Sequence, residues 1–353
     1  MLLEPQTFEL AARAQQLLAR LNGDPRFKLE LPASQLEIVL APFAHVDEVE
    51  AALREARRDL LAACQGLVLP AAAGAHPFSS GVGRLNHTAR YADIIEEYGS
   101  VAARQLVCAL QVHVSVGQSD RALCVYNALR SYLPLLAALA ANAPFYEGRD
   151  CGLASVRPKL AELLPRQGVP PVIDSWETYA ELLRWGASAG TFPEARAWWW
   201  ELRLHPGYGT LELRVPDSQS TVADAAAVTA VIQTLIAWLG GRHDAGEKLP
   251  VSPRWRIEEN RWSAARHGVQ GSMADLLTGE PAPTASRLRA LLDALSDTAE
   301  RLGAQRHLAR AAELVEFNGA MAQRRAAGDG GARAAAQWLA QRFSPGERGM
   351  GCS

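Results

Sequence analysis

Polar and apolar residues alternate one for one in four separate stretches, and this periodicity constrains the fold more than any other feature of the chain. In LQVHVSVG, Leu110, Val112, Val114 and Val116 alternate with Gln111, His113 and Ser115. SQLEIVL places Gln35 and Glu37 between Leu36, Ile38 and Leu40. WWWELRLHP sets Glu201, Arg203 and His205 against Leu202 and Leu204, and TLELRVPD sets Glu212 and Arg214 against Leu211, Leu213 and Val215. A two-residue period sends successive side chains to opposite faces of a strand. Strands of a parallel sheet, buried on both faces, run solidly apolar instead. The pattern therefore predicts an α+β fold: a curved antiparallel sheet with one polar face and with helices packed on the other.

Helical periodicity fills the intervals. It marks residues 7–21, 46–65, 89–104, 120–141 and 176–186, and nearly everything after Thr221, including 286–326 and 330–342. Asp47, followed three residues later by Glu50, fits the start of the second helix. HPGYG, between strands at 198–204 and 209–215, reads as a hairpin turn. Residues 142–171 carry the Gly and Pro punctuation of a lid-like loop. No repeat or long linker interrupts 1–343, so one domain is expected there, with 344–353 as a disordered tail.

Composition matters mainly for what it excludes. A net charge of −2 gives no global attraction to nucleic acid or anionic membranes, so any phosphate chemistry must come from local arginines. The longest apolar stretch, Ala225–Leu239, is shorter than the roughly 20 residues that span a bilayer, and a buried helix is expected there. Cys64, Cys108, Cys124, Cys151 and Cys352 form no CxxC pair, which fits reduced thiols. The acidic start MLLEPQTFELAARAQ lacks the pattern of a signal peptide. A cytoplasmic location is expected.

Set side by side in one sheet, the alternating strands would give a single face carrying Glu37, Gln111, His113, Glu212 and Arg214. Carboxylates with an imidazole suit a hard cation such as Mg²⁺ or Mn²⁺. Arginines suit a phosphoryl or carboxylate group. A single charged strand is ordinarily a solvated face, and a lone histidine is ordinarily a hydrogen-bonded structural residue. His76 and His205 each precede proline, which turn geometry alone explains. The tryptophans at 198–200 read as packing. Arg157, in the Gly-containing loop CGLASVRPK, is placed to close on an anion or to lie at the surface. ENRWSAARHG is a basic helical turn with no specificity of its own, and the chain has no Walker loop, GxGxxG, GxSxG or HExxH motif.

Taken in order, SQLEIVLAP, AGAHPF, LQVHVSVG, LRSYLPLLAALAANAPFYEGRDCGLASVR, WWWELRLHPGYGTLELRVPDSQS and ENRWSAARHG resemble the carboxylate-amine ligases of the glutamate–cysteine ligase type 2 family. The resemblance spans about residues 1–343. It implies a sheet related to the glutamine synthetase catalytic domain. The reaction it implies uses ATP to phosphorylate a carboxylate, classically that of glutamate. An amine, classically cysteine, then attacks the acyl phosphate to form an amide. Partners would be small amino-acid and amine substrates, with ATP and Mg²⁺ or Mn²⁺ as cofactors. By resemblance, Glu37, Gln111, His113 and Glu212 stand as metal ligands, and Arg157 and Arg214 as phosphate or carboxylate clamps. Asn260, Arg261 and Arg266 stand near the nucleotide.

The chain also departs from the family. Gln111 replaces the first histidine of an HVHVG strand, Leu40 stands where threonine is usual, and a GVEEE-type strand is expected before Met1. Its loss would leave an unpaired edge that invites dimerisation. These departures keep a second expectation open, a homologue that binds nucleotide or amino acid without turnover, beside that of a weak ligase. No residue reads a thiol specifically, so the acid and amine stay unassigned.

Overall fold

The computed structural model describes residues 1–192 and 195–344, so the expected disordered tail lies, from 345 onward, outside the described residues. At its centre is a three-stranded antiparallel sheet. Thr210–Leu213 is the middle strand, flanked by Val112–Ser115 on one side and Leu202–His205 on the other. The register forms rows across the sheet: His113, Glu212 and Arg203 in one, Ser115, Thr210 and His205 in the next. The intervening rows, Val112–Leu213–Leu202 and Val114–Leu211–Leu204, point the other way, into the main core. Leu202, Leu211 and Leu213 are fully buried there, and each contributes about 1.5–3 kcal/mol by leaving water. The alternation thus splits one polar face from one apolar face, as its period requires.

The strands Leu202–His205 and Thr210–Leu213 join through residues 206–209. Gly209 takes a left-handed φ of +64°, and its N–H and that of Tyr208 both donate to the His205 carbonyl. A side chain at this position would be strained, so the glycine sets the hairpin. Behind the apolar face runs the long helix Val222–Asp244. Thr221 caps it by accepting from the Asp224 N–H at 3.0 Å. Val228, Val231, Ile232, Leu235 and Leu239 are buried on several of its sides, which identifies the apolar stretch as a core helix. Helices Val46–Cys64, Ser119–Leu129, Thr284–Arg301 and Gln305–Glu316 pack around it.

Three expectations need correction. Leu36–Ile38 does not join the central sheet but pairs with Phe27–Leu29, setting Glu37 opposite Lys28. Leu36 and Ile38 pack with Phe27, Leu17 and Leu60 in a second core. The connection of residues 30–35 closes that ladder at small entropic cost. The first helix begins only at Ala14, because Ala11 donates to the Leu2 carbonyl, Leu10 bridges to Leu3, and Phe8 adopts a left-handed φ of 61°. The third strand starts at Leu202, not at 198. Trp198 packs edge-on against Tyr179 and Phe192 in the core, as expected for packing residues.

Candidate functional site

Glu212 stands at the middle of the polar face, its side chain fully shielded from solvent. Its carboxylate accepts from Arg203 Nε and from Arg214 Nη1. His113 Nε2 lies 3.8 Å from Oε2. Burial alone would raise the Glu212 pKa, but the Arg214 and Arg203 guanidiniums outweigh it and hold the carboxyl below its usual range. Arg203 also donates to the Trp198 carbonyl at 3.0 Å, so the chain before the strand covers it. Arg214 keeps 19% of its side chain exposed and His113 keeps 31%, which makes these two the accessible members of the cluster.

His113 is oriented by Thr210, whose hydroxyl lies 3.0 Å from Nδ1. Burial pushes its pKa down, with the Glu212 carboxylate opposing, which favours the neutral imidazole. Beside it, the rings of His205 and Tyr208 stack at 4.4 Å and 8°, and His113 meets both edge-on. Arg203 as a site residue and the service of Thr210 were not among the residues expected from the sequence. The signal was present for both: each lies an even number of residues from Glu212 or His205, in the same alternation.

The predicted metal set is not brought together. Only His113 and Glu212 are neighbours; Glu37 lies in the other ladder, and Gln111 is exposed just outside the first strand. Among the described residues no three His, Cys, Asp or Glu side chains form a group able to hold a metal ion. Mg²⁺ wants about six oxygens, whereas among the described residues the row through His113, Glu212 and Arg203 holds one carboxylate, which two guanidiniums already engage. The residues present do not fit that ion.

Arg157 is not a loop arginine poised over an anion. It is buried at the start of the short helix Arg157–Ala161, where Nε pairs with Asp217 Oδ1 at 2.6 Å. Asn260 is buried too; its carboxamide exchanges two 2.8 Å hydrogen bonds with the backbone of Ala274 and clips a neighbouring strand. Arg261 is buried among carboxylates, gripping both oxygens of Glu201 at 2.8 Å and also meeting Glu162 and Glu258. These partners occupy Asn260 and Arg261 in the scaffold. Arg266 alone of the three is exposed, at the edge of a cavity of about 330 Å³ that Asp150, Gly152, His267, Gln270 and Arg324 also line.

The profile described as Glutamate-cysteine ligase family 2 (GCS2) matches residues 3–334. A Rubrobacter xylanophilus protein provisionally named glutamate–cysteine ligase 2-3 is 37% identical over 320 residues, covering 89% of this chain and 86% of its own. A Gloeobacter violaceus protein provisionally named glutamate–cysteine ligase 2 is 33% identical, with 92% and 89% covered. Among solved structures, a bifunctional glutathione synthetase from Pasteurella multocida superposes with a TM-score of 0.63 at 16% identity, over 91% of this chain and 48% of that one. A glutamate–cysteine ligase from Francisella tularensis, solved in complex with AMP, gives a TM-score of 0.59 at 11% identity, covering 90% and 82%. At such identities the two structures speak for the fold alone.

Proposed function

Because this chain belongs to glutamate–cysteine ligase family 2, we propose that it is an ATP-dependent carboxylate-amine ligase working on the polar face of the central sheet. The observation that carries this reading is the cluster in which two guanidiniums, Arg203 and Arg214, flank the single carboxylate of Glu212, with Arg214 still open to solvent. That balance suits a carboxylate or acyl phosphate, whose negative charge a preorganised guanidinium stabilises. The AMP bound by the Francisella ligase supports a nucleotide as cosubstrate.

In the proposed sequence, an oxygen of the acid attacks the γ-phosphorus of ATP and ADP leaves. The amine nitrogen then bonds to the acyl carbon, phosphate departs with the C–O electrons, and the amine loses a proton. Arg214, steadied by Glu212, holds the acid and meets the charge on its acyl phosphate. His113, held by Thr210, lines the approach of the amine. Glutamate is the first acid to try and cysteine the first amine. We expect slow turnover, because the face supplies no donor set for a divalent ion that would share the phosphate charge.

A screen of acids and amines for ADP release tests the proposal. Release should require both cosubstrates. Arg214→Met should lower kcat/KM for the acid by about 100-fold, the scale seen when one preorganised donor is lost. ATP turnover indifferent to every acid and amine would sink the ligase reading in favour of binding without turnover.

A further inference from the structure

We propose that Arg157 and Asp217 form a positioning pair that aims Arg214 into the site without touching substrate. The proposal rests on the ligase reading for its kinetic test, but its geometric content stands apart from it.

The regular ladder between Val112–Ser115 and Thr210–Leu213 ends at the pair Val112–Leu213. Pairing resumes at Ala109 and Asp217, three residues back on one strand but four forward on the other. One extra residue is therefore inserted among residues 214–216, the stretch that Arg214 opens. Such a bulge bends its strand and redirects side chains, and bulges recur beside active sites. On the opposite edge the pairing stays regular, since Arg214 N–H donates to the Glu201 carbonyl at 2.8 Å. On the bulged edge Leu110 donates to the Pro216 carbonyl at 3.0 Å, which leaves the carbonyls of Arg214 and Val215 without a ladder donor from that strand.

Arg157 provides the donors. Its Nη2 reaches the Arg214 carbonyl at 3.3 Å and also the Val215 carbonyl, while Nε holds Asp217 Oδ1 at 2.6 Å. Asp217 is fixed in turn. It accepts from the Asn142 N–H at 2.7 Å and the Ser155 hydroxyl at 3.0 Å, and a Cβ on Gly74 would come within 2.7 Å of its Cγ. Arg157 and Asp217 are 5% and 2% exposed, so both are shielded from solvent while Arg214 is not. Together they tie both ends of the bulge, and thus the backbone of Arg214, to the loop that carries Ser155. An anion hook misplaced by about 1 Å can lose two orders of magnitude in rate.

The full chain tests this with two readouts. The first is steady-state kinetics of Arg157→Met, Asp217→Asn and the conservative Arg157→Lys. Arg157→Met and Asp217→Asn should lower kcat/KM for the acid by about 10- to 100-fold, shift KM for ATP less than about twofold, and leave Arg157→Lys closer to wild type. The second is the arginine Nε–H NMR signal of Arg214, assigned by its loss in Arg214→Lys. It should shift or broaden in Arg157→Met and Asp217→Asn. Equal effects on both cosubstrates, or an unmoved Arg214 signal, would overturn the proposal. If Arg157→Met fails to fold, Asp217→Asn and Arg157→Lys carry the same reading. Absence of acid-dependent ADP release in the wild type would defeat the ligase reading, and the NMR arm alone would then decide whether the pair aims Arg214.

Discussion

Two buried charge clusters grow from one short stretch, Glu201 just before the strand Leu202–His205 and Arg203 within it, yet they are built to opposite ends. Glu201 joins Arg261, Glu162 and Glu258; two residues on, Arg203 joins Glu212 and Arg214. In the first cluster several carboxylates surround one guanidinium that is only 4% exposed, and Lys159 reaches Glu162 from outside at 3.0 Å. Burial works against the Arg261 charge, but Glu201 and Glu162 outweigh it and raise its pKa. That cluster is a knot that fastens the helix Arg254–His267 to the sheet. In the second cluster two guanidiniums share one carboxylate and the Arg214 side stays open. Residue types are alike in both; the ratio of charges and the exposure of one partner separate a fastener from a site.

The largest expected effect breaks the comparison from the knot. Glu201→Gln leaves the Arg261 charge buried with one carboxylate fewer, so urea unfolding should show a loss of about 3–5 kcal/mol. Acid binding per folded molecule should barely change, because the substituted side chain faces the helix. Arg214→Met should do the reverse, as the kinetic screen would register: a small change in stability and a large one in turnover. Reversed results, with Glu201→Gln harming turnover selectively, would mean that the two clusters have been assigned the wrong roles.

A third buried polar residue sharpens the contrast because it carries no charge. His76 is 4% exposed; its Nδ1 accepts from the N–H groups of Phe78 and Ser79, and its Nε2 lies 2.8 Å from the Phe8 carbonyl. That arrangement fixes the neutral ring with its proton on Nε2. Burial pushes the pKa down to about 4, with the Phe8 carbonyl opposing. The unfolded chain, with a histidine pKa of about 6.5, thus binds the proton more readily than the folded one. Stability is full above about pH 6.5 and falls as pH drops toward 4, by up to about 3 kcal/mol. Denaturation midpoints of the wild type and of His76→Gln, compared between pH 7 and 4, check this. A wild-type curve no steeper than that of the variant would remove His76 as the cause.

The legible parts of the fold were those set by short-range period. Alternation assigned both faces of the central sheet and placed His113, Glu212 and Arg214 on the polar one. It could not say which strands are neighbours, because period fixes the face of a side chain and not its partner. Glu37 therefore looked like a companion of Glu212, while its strand pairs locally with Phe27–Leu29. Arg157 lay in a loop whose glycine suggested mobility, and the acid that buries it is sixty residues away. On Arg254–His267 the inward stripe contains Asn260 and Arg261, polar residues that a charge pattern assigns to solvent. Their burial follows from partners in other segments that no local pattern encodes.

The smallest expected effect concerns Arg266, the one helix residue of the predicted nucleotide set that stayed outside. Both oxygens of Asp150 are engaged, by Arg324 at 2.7 and 2.9 Å and by the Gly152 N–H at 2.9 Å. Arg266 donates to the Gly152 carbonyl. It brings a second guanidinium to the cavity, where Gln270 and His267 add polar groups. An acceptor-rich phosphate suits that wall better than a cation would. The contact is exposed and screened, so it is worth about 1 kcal/mol and not the 3 kcal/mol of a buried donor. Arg266→Ala should therefore weaken a non-hydrolysable ATP analogue about fivefold by calorimetry, and it should move stability by no more than about 0.5 kcal/mol. Unchanged affinity would put the nucleotide elsewhere and leave the helix Arg254–His267 with the scaffold contacts of Arg261 and Asn260. A loss in stability larger than the loss in affinity would make Arg266 a fastener like Arg261, and the distinction drawn from exposure would fail at this position.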